Sequence, residues 1–300
     1  MVSINAYLDR ILVDFKKYVN SDIELCNLKS VHFDGGKLPD YTDIHAQQYY
    51  LLRYAYAYGF EYKQMYKGLR NRIKDVEHLR VTSIGCGSMI DYWALTRGFP
   101  RKCSIRYTGI DTIDWSYRIE PRPQDEVNFC NSDVVSLFEN AETLTSDVYI
   151  FPKSISEFSK SDIQRLGNCL SKKLPTNQTV FFLFSLRTDE WHTESDKAKT
   201  KILFDCMVNA GYETDDKCDE VWVLPQELRD KKIREVDCDF SHPREVYDFL
   251  KNGLHKCCSK YLENGVHCKS DCTTRLSWAP ILSCKQVQWQ IFEFRREESL

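Results

Sequence analysis

Residues 81–95 read VTSIGCGSMIDYWAL: an apolar run, then Gly85-Cys86-Gly87, then a segment with helical spacing. This is the pattern of a buried strand turning tightly into the helix that follows it. Glycine is suited to such a turn because it adopts positive φ without strain and lets backbone approach a ligand with no Cβ between them. Outward from that turn, short apolar runs alternate with helical segments. The runs LRVTSIG, SIRYTGID, EVNFC, DVYIFP and TVFFLFSL end near Leu186, and EVWVLP and VQWQIFEFR follow later. Between and after the first five lie SMIDYWALTRGF, SDVVSLFEN, SKSDIQRLGNCLSKKL and ESDKAKTKILFDCMVNAG, the last ending at Gly211, a residue suited to a left-handed C-terminal cap. This alternation predicts an α/β fold with a mainly parallel sheet.

The residues before it have a different rhythm. Ile4, Tyr7, Leu8, Ile11, Leu12, Phe15 and Tyr18 recur every three or four positions and predict an amphipathic helix. A loop with DGGKLPDYTD follows, then a long helix, IHAQQYYLLRYAYAYGFEYKQMYKGLRNRIKDV, expected to be interrupted near Gly59. The predicted organisation is therefore a helical N-terminal cap over residues 1–78 and an α/β domain over 79–300, with a Cys-rich insertion at about 226–285 before the last strand.

Bulk composition narrows the function classes. The 300 residues are 42% hydrophobic and carry a net charge of -3, enough apolar content for a sizeable core and none of the basic excess that phosphate-backbone binding tends to leave. No strong nucleic-acid signature is present; KAKTK and RDKKIR are short basic clusters that could touch phosphate. No apolar run approaches the ~20 residues of a membrane span, and acids interrupt the N-terminal apolar positions, so the expectation is a cytoplasmic chain without a membrane partner.

The turn at Gly85 and Gly87 has a partner in the next strand. Asp111, at the end of SIRYTGID, stands where an acid accepts hydrogen bonds from ribose hydroxyls. Glycine turn and acid together point to a ribose-bearing ligand. The dinucleotide fingerprint wants a third small residue where this chain has Ile90, which disfavours a pyrophosphate and a nicotinamide-dependent oxidoreductase.

In these residues the chain resembles the class I S-adenosylmethionine-dependent methyltransferases over residues 79–186 and the final strand. VTSIGCGS looks like the family's first motif, CNSDV like the loop that meets the adenine, and DVYIFPKSISEF like the fourth-strand segment bordering methionine and substrate. The resemblance implies a Rossmann-like seven-stranded sheet whose last strand is antiparallel, with S-adenosyl-L-methionine as cofactor. It places Ile84, Gly85, Cys86 and Gly87 against the cofactor's amino acid and ribose, Asp111 on the ribose hydroxyls, and Thr112 and Ile113 at the adenine face. Ser132 and Asp133 would meet the adenine amino group, and Phe151 would open the substrate side. The family's commonest motif has an acid where this chain has Ser83 and a small residue in place of Met89; Asp91 would supply the missing charge near the cofactor's ammonium.

The implied reaction is methyl transfer to an acceptor that is a small molecule, a protein or RNA. FPKS is neither the Asn/Asp-Pro-Pro-Tyr segment of base-amine methylases nor a Pro-Cys pair for attack on a pyrimidine. Lys153, Ser154 and Glu157 are the catalytic candidates, as groups able to bind or deprotonate an acceptor; the other reading makes them turn, capping and solvated residues. Tyr54, Tyr58 and Tyr62, at four-residue spacing, are read either as core or as a wall over the pocket. A methyltransferase-like module that binds a partner protein or RNA without catalysis is the alternative function.

Thirteen cysteines without a secretory signal read as thiols. Cys238, Cys257, Cys258, Cys268 and Cys272 crowd the insertion and are the candidate ligands of a structural zinc, although no paired CxxC knuckle is present. An Fe–S cluster, reduced partly buried thiols, and a soft-substrate site at the vicinal pair Cys257-Cys258 are the other readings.

Overall fold

In the computed structural model, the residues described are 3–20, 24–32, 39–73, 76–176, 178–259 and 274–296. They form two compact units: residues 1–60, 115–120 and 230–284 make one, and 61–114, 121–229 and 285–300 the other.

The second unit holds the sheet. Its strands are β1 (His78–Ile84), β2 (Ser104–Asp111), β3 (Glu126–Asn131), β4 (Val148–Pro152), β5 (Val180–Ser185), β6 (Trp222–Val223) and β7 (Gln288–Phe294). They lie in the order β3-β2-β1-β4-β5-β7-β6. The first five are parallel, and β7 runs antiparallel between β5 and β6. This is a Rossmann-like, mainly parallel seven-stranded sheet with an antiparallel last strand, as expected from the sequence. β4 and β5 are buried along their whole length, which is why they read as unbroken apolar runs. EVWVLP shrinks to the two residues Trp222 and Val223 at an edge, both exposed.

The helices are α1 (Ile4–Val19), α2 (Ile44–Arg72), α3 (Ile90–Gly98), α4 (Val134–Asn140), α5 (Lys160–Lys173) and α6 (Glu190–Asn209), followed by the short α7 (Gln226–Arg229), α8 (Ile233–Val236) and α9 (Arg244–Asp248). Residues of α4, α5 and α6 share one core cluster with Phe182 and Phe184 of β5 and Phe292 and Phe294 of β7. Alternation along β7 turns Ile291 the other way, where a Cβ on Gly68 of α2 would stand 3.4 Å from it. Gly98 lets α3 lie close to Tyr66 of α2: a Cβ there would meet the Tyr66 Cβ at 2.8 Å.

α2 runs unbroken through Gly59, where an interruption was predicted. A mid-helix glycine costs only ~1 kcal/mol, and the burial of Leu51, Leu52, Ala55, Phe60 and Tyr66 along the same helix outweighs it. No helix among the described residues is long and apolar enough to cross a membrane.

In the first unit, the buried stripe of α1 follows the sequence spacing through Ile4, Tyr7, Leu8, Ile11, Leu12 and Phe15, but Val19 is buried at its end and Tyr18 is only half-buried. Phe15 stacks at 6.3 Å on Tyr49 of α2. Ser3 caps the helix by accepting the Ala6 N–H, and Lys16 pairs with Glu245 of α9. Tyr54 is buried and stacks on Tyr58 at 5.5 Å.

Candidate functional site: a crevice at the switch point of the sheet

Strand order reverses between β1 and β4, and the carboxyl ends of these strands open the crevice where doubly wound sheets take their ligands. The glycine turn occupies that point. Gly85 and Gly87 have φ of 69° and 52°, and both Gly85 and Cys86 donate to the Ile110 carbonyl, at 2.8 and 3.2 Å. Gly85 is required twice over, because a Cβ there would lie 2.5 Å from the Cβ of Ser154. Cys86 is buried over Gly109 of β2, whose absent side chain leaves room for its sulfur. Met89 has φ 63° and precedes α3 without a side-chain cap, so the position lacking the family's small residue does adopt the conformation glycine prefers.

Asp111 closes the turn. Its Oδ2 accepts the Gly87 N–H at 2.8 Å, and its Oδ1 accepts the Ile113 N–H at 2.9 Å. Burial pushes its carboxyl above the usual range while these bonds and the Thr112 N–H pull it back. Two oxygens with about four lone pairs between them retain acceptor capacity toward a diol. The backbone nearby is fixed in turn: the Asp111 carbonyl accepts from Ser132 N at 2.9 Å and from Asn131 Nδ2 at 3.1 Å. Asp133 caps α4, taking the Ser136 N–H at 2.8 Å, which holds its carboxyl below the usual range. Thr112 is exposed and Ile113 half-buried, an arrangement open to a flat ligand beside the Asp111 carboxylate. Positive-φ backbone at the turn and an anchored acceptor at the next strand end fit an adenosyl ligand.

Four of the predicted residues do different work from that expected. Phe151 is fully buried, stacked on Phe184 at 5.0 Å and edge-on to Phe158 at 6.0 Å. The two-residue period of β4 puts it in the core with α5 and α6. Asp91 is buried and accepts the Tyr107 hydroxyl on both oxygens, at 2.9 and 3.0 Å; burial drives its carboxyl up to about 6. Ser154 is buried and donates to the Ile84 carbonyl, locking β4 to β1 beside Gly85. Lys153, at φ 61°, sends its ammonium to Glu61 at 2.9 Å and to the carbonyls of Leu186 and Gln286.

Glu157 is the predicted catalytic side chain that stays at the opening. It is exposed to solvent, yet protein crowds it closely, and the Asp111 carboxylate adds like charge; both push its carboxyl up, to about 7, against Arg187 and Lys199.

Several residues of this network escape sequence reading. Glu61 of α2 is fully buried, bonded to Lys153 and, at 2.5 Å, to the Ser185 hydroxyl. Asp196 accepts the Arg187 N–H at 3.1 Å, and Lys199 donates to the Ser156 carbonyl at 2.7 Å. The one signal for Glu61 was an acid between Phe60 and Tyr62 in an aromatic helix; nothing local pointed to Asp196 or Lys199.

The described members of the proposed zinc set form no metal site. Among the described residues no group of three or more His, Cys, Asp or Glu side chains could hold a metal. Cys238 is exposed, Cys257 donates to the Gly253 carbonyl and Cys258 is buried, while Cys268 and Cys272 lie outside the described residues.

No protein-family profile matches the chain, and no curated protein matches it in sequence. Solved structures similar to it include the plantazolicin methyltransferase BpumL in complex with a monoazolic desmethylPZN analog and SAH, at TM-score 0.43 and 12% identity, over 96% of this chain and 100% of that one. The [4+2]-cyclase SpnF is similar at TM-score 0.41 and 13% identity, over 79% of this chain and 82% of that one. The Haemonchus contortus phosphoethanolamine N-methyltransferase 2, in complex with phosphomonomethylethanolamine and S-adenosylhomocysteine, is similar at TM-score 0.40 and 11% identity, over 78% of this chain; the chain spans 52% of that one. The fold assignment rests on the strand order and directions described above.

Proposed function

We propose that the chain binds S-adenosylmethionine at the Gly85–Gly87 turn and Asp111 and transfers its methyl group to a nucleophile admitted beside Glu157. The observation that carries this reading is the Asp111 carboxylate, anchored by the Gly87 and Ile113 N–H groups at the strand-order reversal, with acceptor capacity left for a ribose diol. When bound, the cofactor supplies an electrophilic methyl on a sulfonium, so the protein's part is alignment and removal of the acceptor's proton where it has one. Glu157 suits that second task, because a carboxyl pushed up to about 7 exchanges protons near neutrality. Lys153 and Ser154 hold the floor: one pairs with buried Glu61, the other with the Ile84 carbonyl.

That two of three catalytic candidates are engaged in structure is what favours the second reading, a methyltransferase-like module without catalysis. Calorimetric titration with S-adenosylmethionine and its demethylated product separates the two. The enzyme reading expects binding that Asp111→Ala weakens at least tenfold, and Glu157→Gln is expected to keep binding while lowering turnover of a labelled methyl group. A folded protein that takes up neither ligand overturns the reading.

A further inference from the structure

The unit formed by residues 1–60, 115–120 and 230–284 carries its own cavity of about 680 Å³, and the described residues that line it all belong to that unit. One wall is a short antiparallel pairing: Lys232 bridges Ser283, Ile233 N donates to the Leu282 carbonyl at 2.8 Å, and Cys284 N to the Lys231 carbonyl at 3.2 Å. The opposite wall is α9 with His242 just before it. Backbone pairing thus sets Lys232 and Arg234 on one wall and Arg244 on the other, so that, among the described residues, three cations and one carboxylate, Asp248, line one concavity. Arg244 pairs with Asp248 at 3.3 Å with its side chain 93% exposed, a weak contact that a better anion displaces. The excess is local, since the whole chain carries -3. Lys232 and Arg234 belong to RDKKIR, the basic cluster that the methyltransferase reading leaves without a role.

The interior of the cavity is apolar and aromatic, with Tyr247, Pro280 and Leu282 among its lining. His242 stands edge-on to Tyr56 at 5.0 Å, and neither of its buried ring nitrogens makes a hydrogen bond of good geometry among the described residues. Burial lowers its pKa to about 4, only partly opposed by the backbone of Pro243, so at neutral pH the ring is a neutral donor and acceptor. A buried imidazole held only loosely by the Pro243 backbone is open to a better hydrogen-bond partner.

We infer that this cavity binds a small phosphate monoester with an apolar or aromatic body, its phosphate between Lys232, Arg234 and Arg244 and its body against Tyr247 and Leu282. Three cations facing a single carboxylate suit a dianion better than a monoanionic carboxylate. The volume falls within the range of small-ligand pockets. The inference is independent of the adenosyl site, whose residues belong to the other unit.

Phenyl phosphate is the probe. Titrated into the full chain and followed by calorimetry and by the imidazole signals of ¹⁵N-histidine-labelled protein, it is expected to bind and to shift the His242 resonances. Each neutralisation, Lys232→Gln, Arg234→Gln or Arg244→Gln, is expected to weaken it by about tenfold, the scale of one charge-assisted hydrogen bond. All three side chains belong to exposed residues, so the variants keep the fold. The assignment is overturned if phenol or benzoate binds as tightly as phenyl phosphate, or if the triple variant keeps full affinity. It is equally overturned if the His242 signals stay fixed at saturation, or if a single-stranded oligonucleotide of phosphodiesters binds more tightly, which would make the face a nucleic-acid surface.

Discussion

Replacing Gly85 by Ala tests the geometry of the turn in energetic terms. At φ 69° an L-residue carries about 1–2 kcal/mol of backbone strain. The new Cβ would also fall 2.5 Å from the Ser154 Cβ and 3.0 Å from its Oγ, so Ser154 must move. Ser154 is buried and its hydroxyl satisfies the Ile84 carbonyl; displacing it leaves a buried acceptor unpaired, at about 1–3 kcal/mol. The expected loss is therefore about 2–5 kcal/mol, read as a shift in urea midpoint at unchanged slope. The decisive measurement is the double-mutant cycle with Ser154→Gly, a residue whose φ of -95° and ψ of -18° glycine tolerates. With the Ser154 side chain gone, only the backbone strain of Gly85→Ala remains, and the two changes should couple by about 2 kcal/mol. Equal cost of Gly85→Ala in both backgrounds would refute the contact and leave positive φ as the sole reason for glycine.

Other consequences follow from the buried charges. Asp91 has a folded pKa raised from 3.8 to about 6, so the folded state binds the extra proton between those values and stability falls as pH rises through them. Asp91→Asn, still able to accept from Tyr107, should therefore gain up to about 3 kcal/mol at pH 7.5 by thermal unfolding and lose that pH dependence; a less stable variant contradicts the desolvation account. Lys153→Met strands the Glu61 carboxylate in the interior and should cost about 3–5 kcal/mol, with Glu61→Gln recovering much of it in the double variant; additive losses would show that the two charges are independent. His242 has its pKa lowered from 6.5 to about 4, so the unfolded state binds the extra proton in that window and stability falls as pH drops through it. The loss is about 3 kcal/mol at most, and His242→Phe should flatten that acid limb in urea titrations from pH 7 to 4.

What the sequence disclosed follows from how far each signal reaches along the chain. The β1 turn was legible because strand, glycines and α3 are contiguous, and Asp111 because one β-α unit separates it from them. β4 and β5 were legible because burial on both faces writes itself as VYIFP and VFFLFS. Phe151 was misread because such a run hides which side chains face the crevice: with every position apolar, the two-residue period has nothing polar to mark its phase. The roles of Lys153 and Ser154 were hidden for another reason. Their partners, Glu61 and Ile84, lie 92 and 70 positions away, and only the strand order brings them together. Gly59 marked a break that did not occur, since propensity is a weak term beside the burial of a 29-residue helix.

The same reach explains the grouping of the first unit. Residues 1–60 have helical rhythm, while the sequence of 230–284 is rich in cysteine and its described residues form short turns and helices, so composition alone separates them; the fold nevertheless joins them, with residues 115–120, in one compact unit. Those six residues follow Asp111, Thr112 and Ile113 after one intervening residue, Asp114, and Ser116 N donates to Gln47 of α2 at 2.9 Å. Trp115 packs between Tyr41 and Tyr50, at 5.1 and 5.6 Å. Asp111, the proposed ribose acceptor, and Ile113 stand four and two positions before Trp115, which that aromatic cluster holds. A change at Trp115 is therefore a change in how firmly Ile113 is held, and Trp115→Ala should weaken adenosyl binding without touching Asp111 or the glycine turn.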